Sequence, residues 1–199
     1  MPWADAEAGR RRGYHVGNLR IQLLDEARTL LREGGLAKLN LRALAGRAGI
    51  AAGSVYHHYA SKNALLAGLA AEGFGELEAA LSQAAETAPR GAPIRASALA
   101  YFGFARSQPG VYGLMFDPQI LAEPEVSAAR DRAFEVLKQV IGHAASQHDR
   151  SEEQVHKVAL AVWACGHGAA SMTLAGEEGA QTPLMEDVIQ GLEVLFRRD

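Results

Sequence analysis

Apolar residues recur every three or four positions along most of this 199-residue chain, which is the spacing of amphipathic helices. The clearest example runs from about Asn18 to Arg32, where leucine and alanine residues form one stripe before Gly34 and Gly35 interrupt the pattern. No stretch alternates apolar and polar residues between turn residues, as a half-buried strand does. The pattern therefore predicts an all-α fold.

Two short helices are predicted directly after the first one. Asn40 suits the N-cap of a helix that ends at Gly49, and a second short helix is expected over about 52–59. Ser61 then caps a longer helix that continues to the proline- and glycine-containing break at 87–93. Two short helices joined by a tight glycine-containing turn form a helix-turn-helix, whose second helix enters the major groove of DNA.

Beyond the break the spacing predicts four further helices and one short element. The helices are expected at 94–107, at 125–148, from 151 to about 175 and from Thr182 onward, with the short element at 111–116. Ser151 and Gln154 have the spacing of a capping box, and Pro183 suits the first position of the last helix.

The predicted second helix of the pair begins with small residues and continues with polar ones. Small side chains at 51–54 let a helix N-terminus lie deep in the groove, and the positive end of the helix dipole favours phosphate. For the two adjacent histidines, packing within the helix pair is the alternative to DNA contact; we favour phosphate contact for His57 and a structural hydrogen bond for His58. The candidate hydrogen-bonding side chains are Ser54, Tyr56, His57, His58 and Lys62.

Charge is distributed unevenly along the chain. The net charge is −3, but ten basic and five acidic residues give 1–65 a charge of +5, and the remainder carries −8. A basic segment on an acidic body is typical of a polyanion-binding domain joined to a partner-binding one, although ordinary fluctuation of surface charge is the alternative. Arg10, Arg11 and Arg12 precede the first helix, and we expect this arm to lie along DNA phosphates or in the minor groove.

Composition also limits the cell compartment and the chemistry. The lone Cys165 excludes an internal disulfide, so a reducing cytoplasm is expected, and its Ala, Gly and Trp neighbours predict that it is buried and inert. The N-terminus lacks the apolar run of a signal peptide, and the uncharged stretch 158–176 is too rich in Ala and Gly for lipid, so no membrane contact is expected. Metal-ligand spacings and catalytic motifs are missing from the sequence, which predicts neither metal, cofactor nor enzymatic activity.

Residues 18–66 resemble the DNA-binding domain of TetR-family transcriptional regulators. The resemblance implies that Tyr56 and Lys62 contact phosphates, that Arg42 and Ser54 touch backbone or base edges, and that Tyr59 is a buried aromatic anchoring the recognition helix. Two departures are Ala51, where the family usually has a capping serine, and Asn63, where it usually has glutamate. The motif residues are Leu44-Ala45, Ala48-Gly49-Ile50, Gly53-Ser54, Val55-Tyr56, His58-Tyr59, Ser61-Lys62 and Leu65-Leu66. Together with the small residues, these features make Arg42, Ala52, Gly53, Ser54, Tyr56, His57 and Lys62 the candidate DNA-binding residues.

The rest of the chain resembles the C-terminal ligand-binding domain of one TetR subgroup, named after its tryptophan, histidine and glycine. The stretches 101–105 and 109–116 and the spaced Trp163, His167 and Gly168 carry this resemblance. It implies a small, largely apolar ligand, because such pockets are apolar with few polar anchors. Ordinary core packing is the alternative for each lining residue, and we favour it for His167 with a ligand role left open. The candidates are Tyr101, Phe104, Tyr112, Met115, Phe116, Phe134, Trp163, His167 and Met172.

The last two predicted helices each carry an apolar seam at spacings of three and four. Two such seams predict a four-helix homodimer interface, with packing inside one chain as the alternative. Reading a palindromic operator requires two DNA-binding domains, which favours the dimer. The first seam consists of Val155, Val158, Val162, Cys165, Ala169 and Met172, and the second of Val188, Leu192, Leu195 and Phe196.

These features predict an all-α protein with a three-helix DNA-binding domain and basic arm at 1–65, and a helical ligand-binding and dimerisation domain at 66–199. The predicted function is that of a ligand-responsive repressor that binds double-stranded DNA at a palindromic operator as a homodimer. The alternative is a helical small-molecule carrier or enzyme with an incidental helix pair. A convergent polar or nucleophilic set in the second domain would distinguish it, and the sequence does not suggest one.

Overall fold

The computed structural model describes residues 19–89, 92–145, 151–175 and 181–196, and every regular element within them is a helix. The predicted all-α fold is therefore confirmed for these residues, whereas the arm at 10–12 lies outside them. None of the helices in the described ranges is long and apolar enough to cross a membrane. The helices are α1 (Leu19–Lys38), α2 (Leu41–Ala48), α3 (Ala52–His58), α4 (Lys62–Thr87), α5 (Pro93–Ser107), α6 (Pro109–Met115), α7 (Pro118–Leu121), α8 (Pro124–Ala145), α9 (Glu152–Ala175) and α10 (Gln181–Phe196).

Local capping chemistry sets the boundaries of the first helices. Helical geometry in α1 is interrupted at Gly34 and at Gly35, whose φ of 65° favours glycine. The Asn40 side chain accepts a hydrogen bond from the third amide of α2, and Gly49 ends that helix in the left-handed conformation. Ser61 caps α4 in the same manner as Asn40 caps α2. The predicted caps and the three-residue turn between α2 and α3 are thus confirmed.

The long helix α4 connects the first three helices to the rest of the protein. Its 26 residues span about 39 Å, and its buried side chains extend from Leu65 to Leu81. Buried residues from α1 to α10 form one continuous hydrophobic core along it. We call α1–α3 the head and α4–α10 the trunk. The predicted boundary between 65 and 66 falls inside α4, which is unbroken there, and the division remains a prediction.

Helix α6 packs closely against both α4 and α1. A Cβ atom added to Gly73 of α4 would lie 2.7 Å from Val111 Cγ1 and 2.8 Å from Met115 Sδ. A Cβ added to Gly110 would lie 3.1 Å from Leu31 of α1. The two glycines therefore let α6 approach the head and the centre of the trunk at once.

The second half of the trunk departs from the sequence prediction in its details. The short helix α7 was not predicted; the Asp117 side chain caps it by accepting from two backbone amides, at 2.9 and 3.2 Å. Helix α8 ends at Ala145, before the predicted 148, and the residues that follow lie outside the described ranges. The capping box at the start of α9 is confirmed: the Ser151 amide donates to Gln154 Oε1 at 2.9 Å, and the Gln154 amide donates to Ser151 Oγ at 3.3 Å.

The predicted seam on α9 is wrong as a single face. Val162 and Ala169 are buried within the chain, whereas Cys165 is exposed and Met172 is 65% exposed. The expectation that Cys165 is buried is therefore also wrong. From Val158 onward helix α9 carries small, apolar or uncharged residues on every side, so its contacts with α5, α8 and α10 decide which of them face inward. Its exposed residues after Lys157 follow one side of the helix, which we call the outer face of α9: Leu160, Ala161, Ala164, Cys165, Gly168, Ser171 and Met172.

The predicted seam on α10 also turns inward where it is described. Leu192 is buried, and Val188 is half-buried against the core. The side chains of Leu195 and Phe196 lie outside the described part of the chain. For Val188 and Leu192 the alternative of packing within one chain is the correct one, and Val194 is the exposed apolar residue of this helix.

Candidate DNA-binding surface and trunk cavity

The N-terminal end of α3 presents a smooth surface to solvent. Ala51, Ala52 and Gly53 are exposed and Ser54 is half-buried. A Cβ added to Gly53 would meet no atom within 4 Å. Ala51 occupies the N-cap without making a side-chain hydrogen bond, as expected from the missing serine. Among the described residues nothing covers this end of α3, so it can come close to another surface.

The opposite side of α3 is held firmly by the rest of the head. Val55 is fully buried, and Tyr59, which follows α3, is 1% exposed, so its predicted burial is confirmed. The guanidinium of Arg20 lies 4.8 Å from the centre of the Tyr59 ring, and the Tyr59 hydroxyl donates to the Arg20 carbonyl at 3.5 Å. Burial raises the pKa of Tyr59 to about 12, so the phenol stays neutral. Gly68 of α4 leaves room for the ring.

Three predicted DNA-binding side chains lie exposed on the head. Arg42, Tyr56 and His57 are all solvent-exposed, and no hydrogen bond or ion pair holds them within the described ranges. Lys62 is exposed too, but its ammonium group donates to the Leu36 carbonyl at 3.0 Å. Contact between these residues and DNA stays a prediction, and for Lys62 it requires exchange of that carbonyl for a phosphate.

Arg47 differs from Arg42 although both lie on α2. Its guanidinium donates to Glu26 and to Glu33, each at 2.8 Å. Both carboxylates belong to α1. Arg47 therefore helps to hold α2 against α1, while Arg42 makes no such pair with any described residue.

Most of the predicted ligand-binding residues meet in one aromatic cluster in the trunk. The ring centres of Tyr101 and Trp163 are 5.6 Å apart, and those of Phe116 and His167 are 4.0 Å apart. Phe104 and Met115 are buried, but within the described ranges neither belongs to these ring contacts or lines the cavity beside the cluster. Met172 is exposed and thus lies away from it. The aromatic cluster comprises Tyr101, Tyr112, Phe116, Phe134, Trp163 and His167.

Hydrogen bonds link three members of this cluster in a row. The Tyr101 and Tyr112 hydroxyls are 3.0 Å apart, and the Tyr112 hydroxyl is 2.8 Å from His167 Nδ1. Burial lowers the pKa of His167 and so favours its neutral form. With Nδ1 unprotonated, Tyr112 donates to His167 and accepts from Tyr101. Burial also raises the pKa of Tyr112 to about 12. The row is therefore a neutral, satisfied polar network.

A small cavity lies beside Tyr101. Its volume is about 30 Å³, and α4, α5, α8, α9 and α10 all contribute to its wall. Among the lining residues, Ser97 was not predicted from the sequence, although it lies on the same helical stripe as Ile94, Ala98 and Tyr101. A serine within an apolar stripe is a signal that could have identified it. The structure thus brings two predicted residues, Tyr101 and Trp163, to a cavity whose main polar group is new.

Arg28 joins the head to the trunk. Its guanidinium pairs with Glu72 at 2.8 Å and Glu76 at 2.7 Å, both on α4, and also donates to the Gln108 side chain between α5 and α6. A cleft of about 330 Å³ lies next to it, lined by α1 and by residues 107–111. The junction of α1, α4 and α6 is therefore polar at its rim and tightly packed at Gly73 and Gly110.

Comparison with known proteins agrees with this architecture. Residues 23–69 match the family described as bacterial regulatory proteins, tetR family, and residues 94–195 match that described as tetracyclin repressor-like, C-terminal domain. Among curated proteins, the HTH-type transcriptional repressor KstR2 of Rhodococcus jostii (strain RHA1) is 47% identical over 47 residues, which cover 24% of this chain and 23% of that protein. The chain thus matches less than a quarter of the length of that relative.

Solved structures share the fold over nearly the whole chain. A protein of unknown function from Rhodococcus sp. RHA1 superimposes with a TM-score of 0.78 at 29% identity, covering 96% of this chain and 98% of that one. A TetR-family transcriptional regulator from Pectobacterium atrosepticum does so with a TM-score of 0.73 at 23% identity, covering 91% and 93%. Since the C-terminal family match alone spans more than half of the chain and the N-terminal match covers the helix-turn-helix, this chain belongs to the TetR family of DNA-binding transcriptional regulators.

Proposed function

We propose that this regulator is a ligand-responsive repressor that binds a palindromic operator as a homodimer in the cytoplasm. The observation that carries the proposal is the smooth N-terminal end of α3, an unobstructed helix end with exposed hydrogen-bonding side chains after it. The word repressor in the name of KstR2, whose match spans 47 residues, supports this sign of regulation. Membership in a family of DNA-binding regulators favours this function over a carrier or an enzyme.

The proposed DNA contacts divide by chemistry. Ala52, Gly53 and Ser54 enter the major groove, where small side chains permit close backbone approach to base edges. The exposed cations and hydroxyls meet phosphates, which fix the orientation of the protein without reading sequence. The proposed phosphate contacts are Arg42, Tyr56, His57 and Lys62.

The proposed dimer forms through the outer face of α9 together with α10. Leu160 and Met172 are 54% and 65% exposed, and no charged residue occurs between 158 and 175. Exposed apolar surface of this kind marks interaction sites on soluble proteins, and Ala161, Ala164 and Gly168 permit close approach of a second helix. Pairing of this face with itself about a two-fold axis places two heads on one particle.

We also propose that the trunk resembles the subgroup named after its Trp, His and Gly, and that ligand binding there alters the spacing of the two heads. The aromatic cluster includes Tyr112 and Phe116 at the end of α6, and α6 packs on the head at Gly110 and on α4 at Gly73. A ligand that prefers one position of α6 therefore changes DNA affinity, and DNA changes ligand affinity by the same factor.

The dimer and the DNA-binding role are tested together by Leu160→Glu. We expect wild-type protein to sediment as a dimer and Leu160→Glu as a monomer, because a buried unpaired carboxylate is costly at a self-complementary face. The monomer should lose affinity for the operator found by footprinting the DNA that flanks its own gene, and should keep only weak, salt-dependent binding.

Ile21→Glu is the matched control. Ile21 is 53% exposed on the head, so the same substitution at equal exposure should leave the dimer intact. Unchanged sedimentation and unchanged operator affinity of Leu160→Glu would contradict the proposed interface.

A further inference from the structure

Ser97 on α5 carries a buried hydroxyl without a partner. It is 1% exposed, and among the described residues its Oγ is the one buried side-chain oxygen or nitrogen that makes no hydrogen bond. Burying a hydroxyl without a hydrogen bond destabilises a folded protein, and such groups are rare enough in native structures that each requires an explanation. A partner that is not part of the folded chain would provide one.

Ser97 is one of the residues that line the 30 Å³ cavity beside Tyr101. The cavity has room for about two water molecules, but a buried water needs two to four polar partners. Tyr101 lines the cavity too, and its hydroxyl is already bonded to Tyr112. With Ser97 as the unpartnered hydroxyl in an otherwise largely apolar wall, water is a poor occupant and an apolar molecule with one polar atom is a good one.

We propose that Ser97 is the polar anchor of the ligand site, and that the trunk binds a neutral, largely apolar small molecule whose single oxygen accepts a hydrogen bond from Ser97 Oγ. The proposal rests on the proposed ligand response and specifies the class of ligand. None of the described residues that line the cavity carries a formal charge. Carboxylic acids and amines in their charged forms are therefore excluded, because this wall offers no ion pair in exchange for their hydration.

The ligand must enlarge the cavity in order to enter. An apolar cavity of about 150 Å³ is needed for a molecule of the size of benzene, several times the volume present here. Tyr101 and Trp163 form part of the wall, and Tyr101 is bonded to Tyr112 on α6. Displacement of this wall therefore moves the hydroxyl row that leads to α6. The site and the proposed path to the head share one residue, Tyr101.

The test compares two isosteric probes in solution, cyclohexanone and methylenecyclohexane, which differ by an oxygen in place of a methylene. We expect Ser97→Ala to lower the affinity for cyclohexanone about tenfold relative to the affinity for methylenecyclohexane in ligand-observed NMR titrations, the change that loss of one hydrogen bond produces. The ketone loses its hydration in both proteins, so the change in the affinity ratio between the two proteins reports the hydrogen bond. Ser107→Ala, the same substitution at an exposed position of α5, should keep the ratio of wild type.

A second measurement separates an anchor from an ordinary core residue. Without ligand, Ser97→Ala should melt about 2–4 °C higher than wild type, because the substitution removes an unpartnered hydroxyl from the interior. Most serines that serve packing or hydrogen bonding in a folded protein show the opposite sign. A melting temperature that is unchanged or lower would show that the hydroxyl has a partner and would overturn the proposal.

The remaining outcomes distinguish this inference from the proposed function. Failure of both probes to bind overturns the cavity as a ligand site, while dimerisation and DNA binding stand. An affinity ratio of the two probes that is the same in wild type and Ser97→Ala overturns the role of Ser97. A tenfold fall of that ratio in Ser97→Ala, with operator affinity unchanged by saturating cyclohexanone, supports the anchor and contradicts the ligand-responsive repressor.

Discussion

Gly53 occupies a helical position at which the folded chain alone gives no reason for a glycine. It is exposed, its φ lies outside the left-handed region, and a Cβ there would touch nothing within 4 Å. Alanine is favoured over glycine within helices by about 0.8–1 kcal/mol, so the absent methyl group costs stability. The space it leaves is useful only to a molecule that approaches α3 from outside.

Gly53→Ala should therefore change stability and DNA affinity in opposite directions. We expect a gain of about 0.8 kcal/mol in the free energy of unfolding from better helix propensity, and weaker operator binding because the methyl group holds the helix away from the bases. Gly103→Ala, at an equally open and exposed position of α5, should gain stability without affecting DNA binding. Urea unfolding and operator titration measure the two effects. Operator affinity that survives Gly53→Ala unchanged would argue against close approach at this residue.

His167 should make the protein less stable in mild acid. Burial lowers its pKa below the usual 6.5, so the unfolded chain binds the proton more tightly than the folded one. Stability is then lost as the pH falls from about 6.5 towards the folded-state pKa of His167. We expect the melting temperature of wild type to drop more between pH 7.5 and 5.5 than that of His167→Gln, which keeps an acceptor for Tyr112. Equal drops would assign the acid sensitivity to other groups.

The contact between helices α4 and α6 leaves little room for change at Gly73. The atoms of Val111 and Met115 that face Gly73 belong to buried, well-packed side chains. A methyl group at Gly73 would overlap both, so α6 would have to move away from α4. Since α6 also touches α1, such a shift would reach the head.

Gly73→Ala should lower the free energy of unfolding by about 1–3 kcal/mol, the usual cost of overpacking a core. The expected result is opposite in sign to the helix-propensity gain, because the clash outweighs it. Gly75→Ala lies two residues further along the same helix with open space around it, so it should be neutral or stabilising. Chemical denaturation of both variants decides the point, and a Gly73→Ala protein as stable as wild type would show that α6 adapts freely.

The sequence predicts where helices lie along the chain better than it predicts which side of each helix faces the core. The predicted caps at Asn40, Ser61 and Ser151 were correct. Each cap is a hydrogen bond between residues three apart in sequence, so it does not depend on how distant helices pack. The orientation of α9 depends on three other helices. Its alanines, glycines and valines satisfy a spacing of three or four on more than one side, so the inward placement of Cys165 and Met172 was wrong.

The candidate sites could also be predicted only in part, because their geometry depends on how several helices pack. Aromatic residues of the trunk could be expected to meet, because large rings seldom lie elsewhere in a small core. The position of Ser97 in an apolar stripe can be read from the sequence, but only the four other helices around the cavity reveal that its hydroxyl is enclosed and unpartnered. The four-residue α7 is too short for any periodicity to develop.

A dimer with two heads should discriminate between operators more by the distance between half-sites than by base sequence. The tip of α3 offers a single side-chain hydrogen-bonding group, Ser54, so it lacks the bidentate contacts by which Arg or Asn fixes a base. Half-sites are expected one helical turn, about 34–36 Å, apart or a multiple of it. Discrimination between DNA sequences then depends on close approach of the α3 backbone to the bases, on contacts between alanine and thymine methyl groups, and on DNA shape.

Insertion of base pairs between half-sites should consequently weaken binding more than most single substitutions within a half-site, which we expect to cost roughly 1 kcal/mol each. Titrations over a spacer series and a saturation set of point-mutated operators measure both. Several substitutions costing about 3 kcal/mol each, with altered spacing tolerated, would show that α3 reads bases directly after all.

The continuous core along α4 also limits how this protein could have exchanged parts with its relatives during evolution. Leu65 and Leu69 of α4 belong to the same buried cluster as Leu23 of the head and Tyr101 of the trunk. Recombination at the loop before Ser61 would combine the head of one protein with helix α4 of another. The buried Tyr59 of that head would then pack against side chains of α4 that differ from its original neighbours. Viable hybrids should instead carry their crossover within α4, so that each inherited head keeps the turns of helix that evolved with it. Promoter specificity and effector specificity would then be inherited with different parts of one helix.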